Sequence, residues 1–148
     1  MENSPIIIGG DHAGYELKEY VKKYLTALNF TVEDRGAFSD ASVDYPDIGI
    51  QVAQKISSGE YQRGILICGT GIGMSMVANR FPSVRAALCN DLFSAIMSRR
   101  HNNANILVMG GRVIGSELAK EIVRVWLETP FEGGRHQKRI DKIDCAQR

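Results

Sequence analysis

Gly64-Ile65-Leu66-Ile67-Cys68-Gly69-Thr70-Gly71-Ile72-Gly73 decides how this chain folds. Its first half is apolar throughout, which suits a strand covered on both faces rather than one alternating between core and water. Its second half places glycine at every other position, then passes into the helical start Met74-Ser75-Met76-Val77-Ala78. Buried strand, tight turn and helix in succession make part of a strand–helix–strand unit, and such units build parallel sheets.

The same alternation recurs outward from that stretch. Upstream, Pro5-Ile6-Ile7-Ile8-Gly9 is another apolar strand. A helix follows from Tyr15, with Leu17, Val21, Tyr24 and Leu28 facing inward and Lys18, Glu19, Lys22 and Lys23 outward. Residues 31–33 predict a short strand, and residues 34–46 a polar loop marked by glycine and proline. Ile48, Val52 and Ile56 line the next helix, stopped at Ser57-Ser58-Gly59. Downstream come a strand at 84–88, a helix at 91–99 capped by Asp91, and a strand at 105–109. A last helix at 116–127 presents Leu118, Ile122, Val125 and Trp126 on one side. The pattern runs unbroken to residue 130. It predicts a single α/β domain over 1–130, with a parallel sheet between helices, and a basic tail at 131–148.

The chain has 148 residues, 18 Lys and Arg against 17 Asp and Glu, and 44% apolar residues. One domain is the size prior, and the composition excludes a wholly disordered chain. Net charge near zero supplies no field for holding nucleic acid or an anionic membrane. The charge is uneven, with residues 1–50 holding nine acids and four bases, and residues 51–100 two acids and six bases. Such a distribution suits a small anionic ligand better than a polymer. No run approaches the length of a membrane span, and Met1-Glu2-Asn3-Ser4-Pro5 lacks the basic start of a secretory leader. Cys68, Cys89 and Cys145 are odd in number and lack CxxC spacing, so neither a disulfide framework nor a cysteine zinc site is expected. His12, His101 and His136 are too scattered for a metalloprotease motif. A cytoplasmic location and no metal are the expectations.

In a parallel sheet, ligands bind beyond the carboxyl ends of the strands. The residues that follow each predicted strand therefore carry the weight. Gly69-Thr70-Gly71-Ile72-Gly73 lacks the full GxGxxG spacing of a dinucleotide fingerprint, because residue 74 is Met, and it lacks a Walker lysine. Its amides either hold an oxyanion or simply make a tight turn. Cys68 is either a buried core thiol or, at the mouth of that turn, a nucleophile or base. Cys89 and Cys145 have no comparable setting. Asp11-His12 reads as a helix cap beside a surface histidine, or as a proton-transfer and anion-binding pair. His101 reads as a favourable cation at a helix C-terminus or as a catalytic group. Arg135 and Arg139, four apart, would share a helix face, as a phosphate clamp or as a solvated surface.

Taken together, Gly10-Asp11-His12-Ala13-Gly14, Asp44-Tyr45-Pro46, the stretch from Gly64 to Gly73, Ser98-Arg99-Arg100-His101-Asn102 and Glu132-Gly133-Gly134-Arg135-His136 resemble the ribose-5-phosphate isomerase B family. That family includes galactose-6-phosphate and allose-6-phosphate isomerases. The resemblance implies a Rossmann-like three-layer sandwich with a five-stranded parallel sheet in the order 2-1-3-5-4. It implies interconversion of an aldose phosphate with its 2-ketose through a cis-enediolate, without metal or organic cofactor. Cys68 is implied as the base, since the cysteine of the cysteine-type members is retained. Thr70 is implied as a proton shuttle, and the amides of Gly69, Gly71, Ile72 and Gly73 as the enediolate cradle. Asp11 and a neighbouring subunit's copy of His101 are implied in ring opening. His12, Arg112, Arg135 and Arg139 are implied at the phosphate, with Tyr45 and Asn102 lining the sugar pocket. A homodimer or homotetramer with shared sites follows, the tail packing on the partner. D-ribose 5-phosphate is the first substrate expected. A hexose 6-phosphate and a non-catalytic sugar-phosphate binder are the alternatives.

Overall fold

The computed structural model describes residues 3–146, so residues 147–148 of the expected tail, and residues 1–2, lie outside the described residues. Five strands, β1 (Ile6–Gly10), β2 (Val32–Asp34), β3 (Arg63–Cys68), β4 (Ala86–Leu88) and β5 (Ile106–Gly110), form one sheet. Every pairing is parallel, and the order is β2-β1-β3-β5-β4. The apolar runs become the three inner strands, buried at every position. Short β2 and β4 sit at the edges, half exposed.

Among the described residues there are six helices, α1 (Tyr15–Ala27), α2 (Tyr45–Ser57), α3 (Ile72–Ala78), α4 (Leu92–Arg100), α5 (Ser116–Glu128) and α6 (Arg135–Cys145), of which α1 to α5 pack on the sheet. Alternate strand residues feed two separate cores. Ile6, Ile8, Ile65, Ile67 and Leu107 pack with α1 and α5 around Trp126. Ile7, Leu66, Cys68, Ile106 and Val108 pack with α2 and α3 around Val52 and Met74. Asp91 caps α4 as expected, accepting the Ser94 N–H at 2.7 Å.

Two helix faces differ from the sequence reading. In α5 the buried positions are Ala119, Ile122, Val123 and Trp126, while Leu118 is exposed and Val125 half-buried. The stripe is a strict i, i+3, i+4, i+7 set; it keeps Ile122 and Trp126 and takes Ala119 and Val123 in place of Leu118 and Val125. In α1 the buried positions are Leu17, Lys18, Val21 and Leu25, and Leu28 emerges at the helix end. Lys18, expected in solvent, is fully buried. Its ammonium lies 2.6 Å from Asp34 and 2.9 Å from Glu19, and sits over the rings of Tyr15 and Phe38. The carboxylate at the end of β2 is what makes burial of this cation tolerable. Asp34 also accepts the Gly36 amide at 2.8 Å, and Gly36 in turn accepts the Gly10 amide at 2.7 Å. The ion pair therefore braces the loop beside the end of β1.

Burial alone would raise the Asp34 carboxyl, but its hydrogen bonds from Lys18, Lys22 and the Gly36 amide bring it below the usual carboxylate range. A depressed carboxyl stabilises the fold above its unfolded value near ~4, and that contribution is lost as pH falls through the lower folded value. Asp34→Asn is expected to cost about 3 kcal/mol at pH 7 by leaving Lys18 under-compensated. Urea unfolding across pH 7 to 2.5 checks this: the gap between wild type and variant should persist to about pH 4 and close in stronger acid.

Candidate active site

The strand order reverses between β1 and β3, since the chain leaves β1 toward β2 and then returns to β3 on the other side. A crevice beyond the carboxyl ends of those two strands is the expected ligand position. Cys68 ends β3 there, and Asp11 follows β1. Both are buried. The Asp11 amide donates to the Ile67 carbonyl at 3.2 Å, so the two loops are joined directly.

Missing side chains let these loops touch. A Cβ on Gly14 would lie 2.5 Å from the Ile67 carbonyl oxygen, and one on Gly110 would lie 2.7 Å from that of Thr70. Neither obstacle is a movable side chain. The Gly111 amide donates to Cys68 O at 2.7 Å and the Arg112 amide to Gly69 O at 2.9 Å, drawing in the loop after β5. Arg112 then lays its side chain over Gly69, with Cδ and Nη1 each 3.7 Å from a Cβ built there.

Within the glycine turn, Gly71 adopts φ +86° and its N–H donates to Cys68 Sγ at 3.2 Å. An amide hydrogen is thus aimed at the atom that carries charge once the thiol gives up its proton. The Ile72 N–H donates to Thr70 Oγ1 at 3.1 Å. Two of the amides expected to cradle an oxyanion therefore already have partners in the turn. Tyr45, at the start of α2, packs its ring on Gly73, where a Cβ would lie 2.5 Å from the ring. His12 accepts the Val43 N–H on Nδ1 at 3.2 Å, which leaves Nε2 as the donor of a neutral ring. Asp11 Oδ1 accepts the amides of Ala13 and Gly14 at 3.0 Å each. Asp11 is therefore not the cap of α1, whose N-cap is Gly14 without a side-chain bond; it closes the turn ahead of that helix through one oxygen only.

Asp11, His12, Tyr45, Cys68, Thr70, the turn glycines, Ile72 and Arg112 are thus gathered by one protomer. His101, Asn102, Arg135 and Arg139 are not. The Asn105 carbonyl accepts the Gly64 amide at 2.9 Å, which pins the segment after α4 to the start of β3. From Gly64 to Cys68 the strand advances about 13 Å. Asn102 lines a cavity beside β4 with Arg85 and Ile143 of α6, and α6 is tied to that end by Arg85–Asp144 at 3.1 Å. Arg135 and Arg139 stand exposed on α6.

Sequence reasoning gave Glu132 and His136 no role, yet both gather at His101. The His101 and His136 rings stack with centroids 4.2 Å apart and planes within 13°. Glu132 Oε1 lies 3.4 Å from His136 Nε2 and 3.9 Å from His101 Nε2. The i, i+4 spacing of Glu132 and His136 was the available signal. Among the described residues these three offer metal-ligand atoms within 4.8 Å of one another. Near-parallel rings, however, direct their in-plane lone pairs side by side rather than at one point, so an ion would need a ring to turn. Of the other cysteines, Cys89 is buried, and burial pushes its thiol up to about 11. It is protonated at neutral pH.

A parallel α/β sheet with a thiol, a carboxylate and an arginine around a glycine turn at its switch point defines a small-molecule enzyme of the α/β class. Residues 6–143 match the model of the Ribose/Galactose Isomerase family. The chain is 45% identical to ribose-5-phosphate isomerase B of Escherichia coli, covering 96% of this chain and 95% of that one. It is equally 45% identical to the D-erythrulose-4-phosphate isomerase of Pectobacterium atrosepticum, over 93% and 91% of the two chains. The crystal structure of a ribose 5-phosphate isomerase from Thermotoga maritima superposes with a TM-score of 0.92 at 56% identity, covering 95% of this chain and 97% of that one. This chain belongs to the ribose/galactose isomerase family and is an isomerase of the ribose-5-phosphate isomerase B type.

If the glycine contacts hold the crevice together, Gly14→Ala is expected to destabilise the fold by about 1–3 kcal/mol and to lower turnover as well. Chemical denaturation with parallel rate measurements checks it. Unchanged stability would show that the loops have room to spare.

Proposed function

We propose that the chain interconverts D-ribose 5-phosphate and D-ribulose 5-phosphate through a cis-enediolate, with Cys68 as the base. The observation that carries this reading is the Gly71 N–H on Cys68 Sγ at the sheet's switch point. As a thiolate, Cys68 takes the C2 proton of the open-chain aldose. The electron pair forms the C1–C2 double bond, and charge moves to the carbonyl oxygen O1. Returning the proton to C1, as the O2 proton leaves, gives the 2-ketose. A C–H bond next to a carbonyl is weakly acidic, so placement of the base and stabilisation of the oxyanion dominate the rate. Thr70 relays protons between O1 and O2, and the turn amides of Gly69 and Gly73 face the oxyanion while those of Gly71 and Ile72 hold Cys68 and Thr70.

Sugar phosphates are mostly cyclic, and opening the ring needs an acid at the ring oxygen and a base at the anomeric hydroxyl. Asp11 serves as that base and His101 as that acid. His101 lies at the far end of its own sheet, so the acid comes from a second copy, along with Asn102, Arg135 and Arg139. The tail at 131–148 packs on the partner and completes the partner's site. Two features support a composite site: the separation of the two residue sets, and the apolar side chains left exposed on the loops and helices after the strands. Ile72 is 49% exposed, Phe93 71% and Val113 56%. Arg112 and His12 of one copy and Arg135 and Arg139 of the other hold the phosphate. That remote binding energy orients the reacting carbons.

The same chemistry on a neighbouring sugar phosphate is the second reading. It is favoured by one fact: a relative named for a four-carbon substrate is as similar to this chain as one named for ribose 5-phosphate.

Cys68→Ala is expected to lower kcat/KM on D-ribose 5-phosphate at least about 100-fold with assembly unchanged by light scattering. Retained turnover would mean that another group takes the C2 proton. A wild-type preference for a hexose 6-phosphate or tetrose 4-phosphate would replace the pentose assignment.

A further inference from the structure

The cluster around His101 has a fixed side and an open side. His136 is buried, with its side chain 7% exposed, whereas His101 and Glu132 are 42% and 49% exposed. Glu132 is tethered to α4, because its own N–H donates to the Arg100 carbonyl at 3.1 Å. His101 is the C-cap of that helix, at the end where the dipole favours a cation. A single carboxylate therefore faces two stacked imidazoles, and only one of those rings reaches solvent.

Burial, then neighbouring His101 and Arg135, push the His136 imidazole below its ordinary value, and Glu132 only partly opposes this. A histidine shifted in that direction is neutral at pH 7. It supplies a flat neutral face, and Glu132, 3.4 Å from its Nε2 and 3.9 Å from that of His101, is the carboxylate that faces both rings.

We propose that His136 and Glu132 are positioning residues that hold the His101 imidazole in orientation for proton delivery to the ring oxygen of a furanose. The inference rests on the ring-opening role given to His101 above. In that step the His101 proton goes to O4 as the C1–O4 bond breaks. The O1 hydroxyl proton goes to the Asp11 carboxylate of the other copy, and the C1–O1 double bond forms. Deprotonation of C2 comes afterwards and does not involve the cluster. A fault in the cluster therefore slows opening and leaves enolisation intact, which no general loss of structure would do.

The isotope effect on kcat/KM separates the two steps. D-ribose 5-phosphate and its C2-deuterated form are compared on the full-length, assembled wild type, His136→Ala, His136→Phe, Glu132→Gln and His101→Ala. His136→Ala and Glu132→Gln are expected to lose roughly 30-fold to 100-fold with an isotope effect of unity, because ring opening then limits the rate. His136→Phe keeps the stacked face and should recover most of the loss. An unchanged rate in His136→Ala, or a reduced rate with a full or enlarged isotope effect, overturns the proposal. A His101→Ala enzyme of wild-type rate would instead remove the ring-opening role itself, whatever His136→Ala does.

Discussion

Backbone-to-backbone contact between the loops after β1, β3 and β5 is the constraint on which the rest of the structure depends. The Ile67 carbonyl meets Gly14, the Thr70 carbonyl meets Gly110, and amides from Gly111 and Arg112 bond back to Cys68 and Gly69. Any side chain at those two glycines would have to occupy the space of a carbonyl group. With the loops in contact, Cys68, Asp11 and Arg112 are set by rigid strands rather than by mobile connections. The buried Lys18–Asp34 pair extends the same arrangement outward, since it anchors the loop that bonds to Gly10.

The inner strands were legible because nothing but a doubly covered strand explains Ile6-Ile7-Ile8 or Ile65-Leu66-Ile67. Their order in the sheet was not legible in periodicity, which carries no information on neighbours; the resemblance supplied it, and the order β2-β1-β3-β5-β4 agrees. Lys18 was misread because a lysine's spacing cannot reveal a carboxylate sixteen residues away waiting as its partner. The inner face of α5 differs at two positions, since Leu118 and Ala119, like Val123 and Val125, are all apolar and only packing chooses among them. The tail at 131–148 reads in sequence only as basic, because α6 within it buries just His136 and Ile140.

The candidate site divides along the same line. Residues beside the glycine turn could be picked out by their position after strands. His101, Arg135 and Arg139 could be noticed as a cation at a helix end and an i, i+4 pair, but only the resemblance joined them to this site and supplied Asn102, because within one chain all four belong to the opposite end of the sheet. Glu132 and His136 were hidden among more conspicuous arginines.

Subunit complementation tests the composite site most directly. Cys68→Ala and His101→Ala chains, each inactive alone, are unfolded together in equal amounts and refolded, and turnover of D-ribose 5-phosphate is measured. If each site joins Cys68 of one copy to His101 of the other, every mixed dimer has one intact site. About half of the dimers are mixed, so about a quarter of wild-type activity returns. No recovery, with mixed dimers demonstrated by mass spectrometry, would contradict the account and place both residues in a single chain's site.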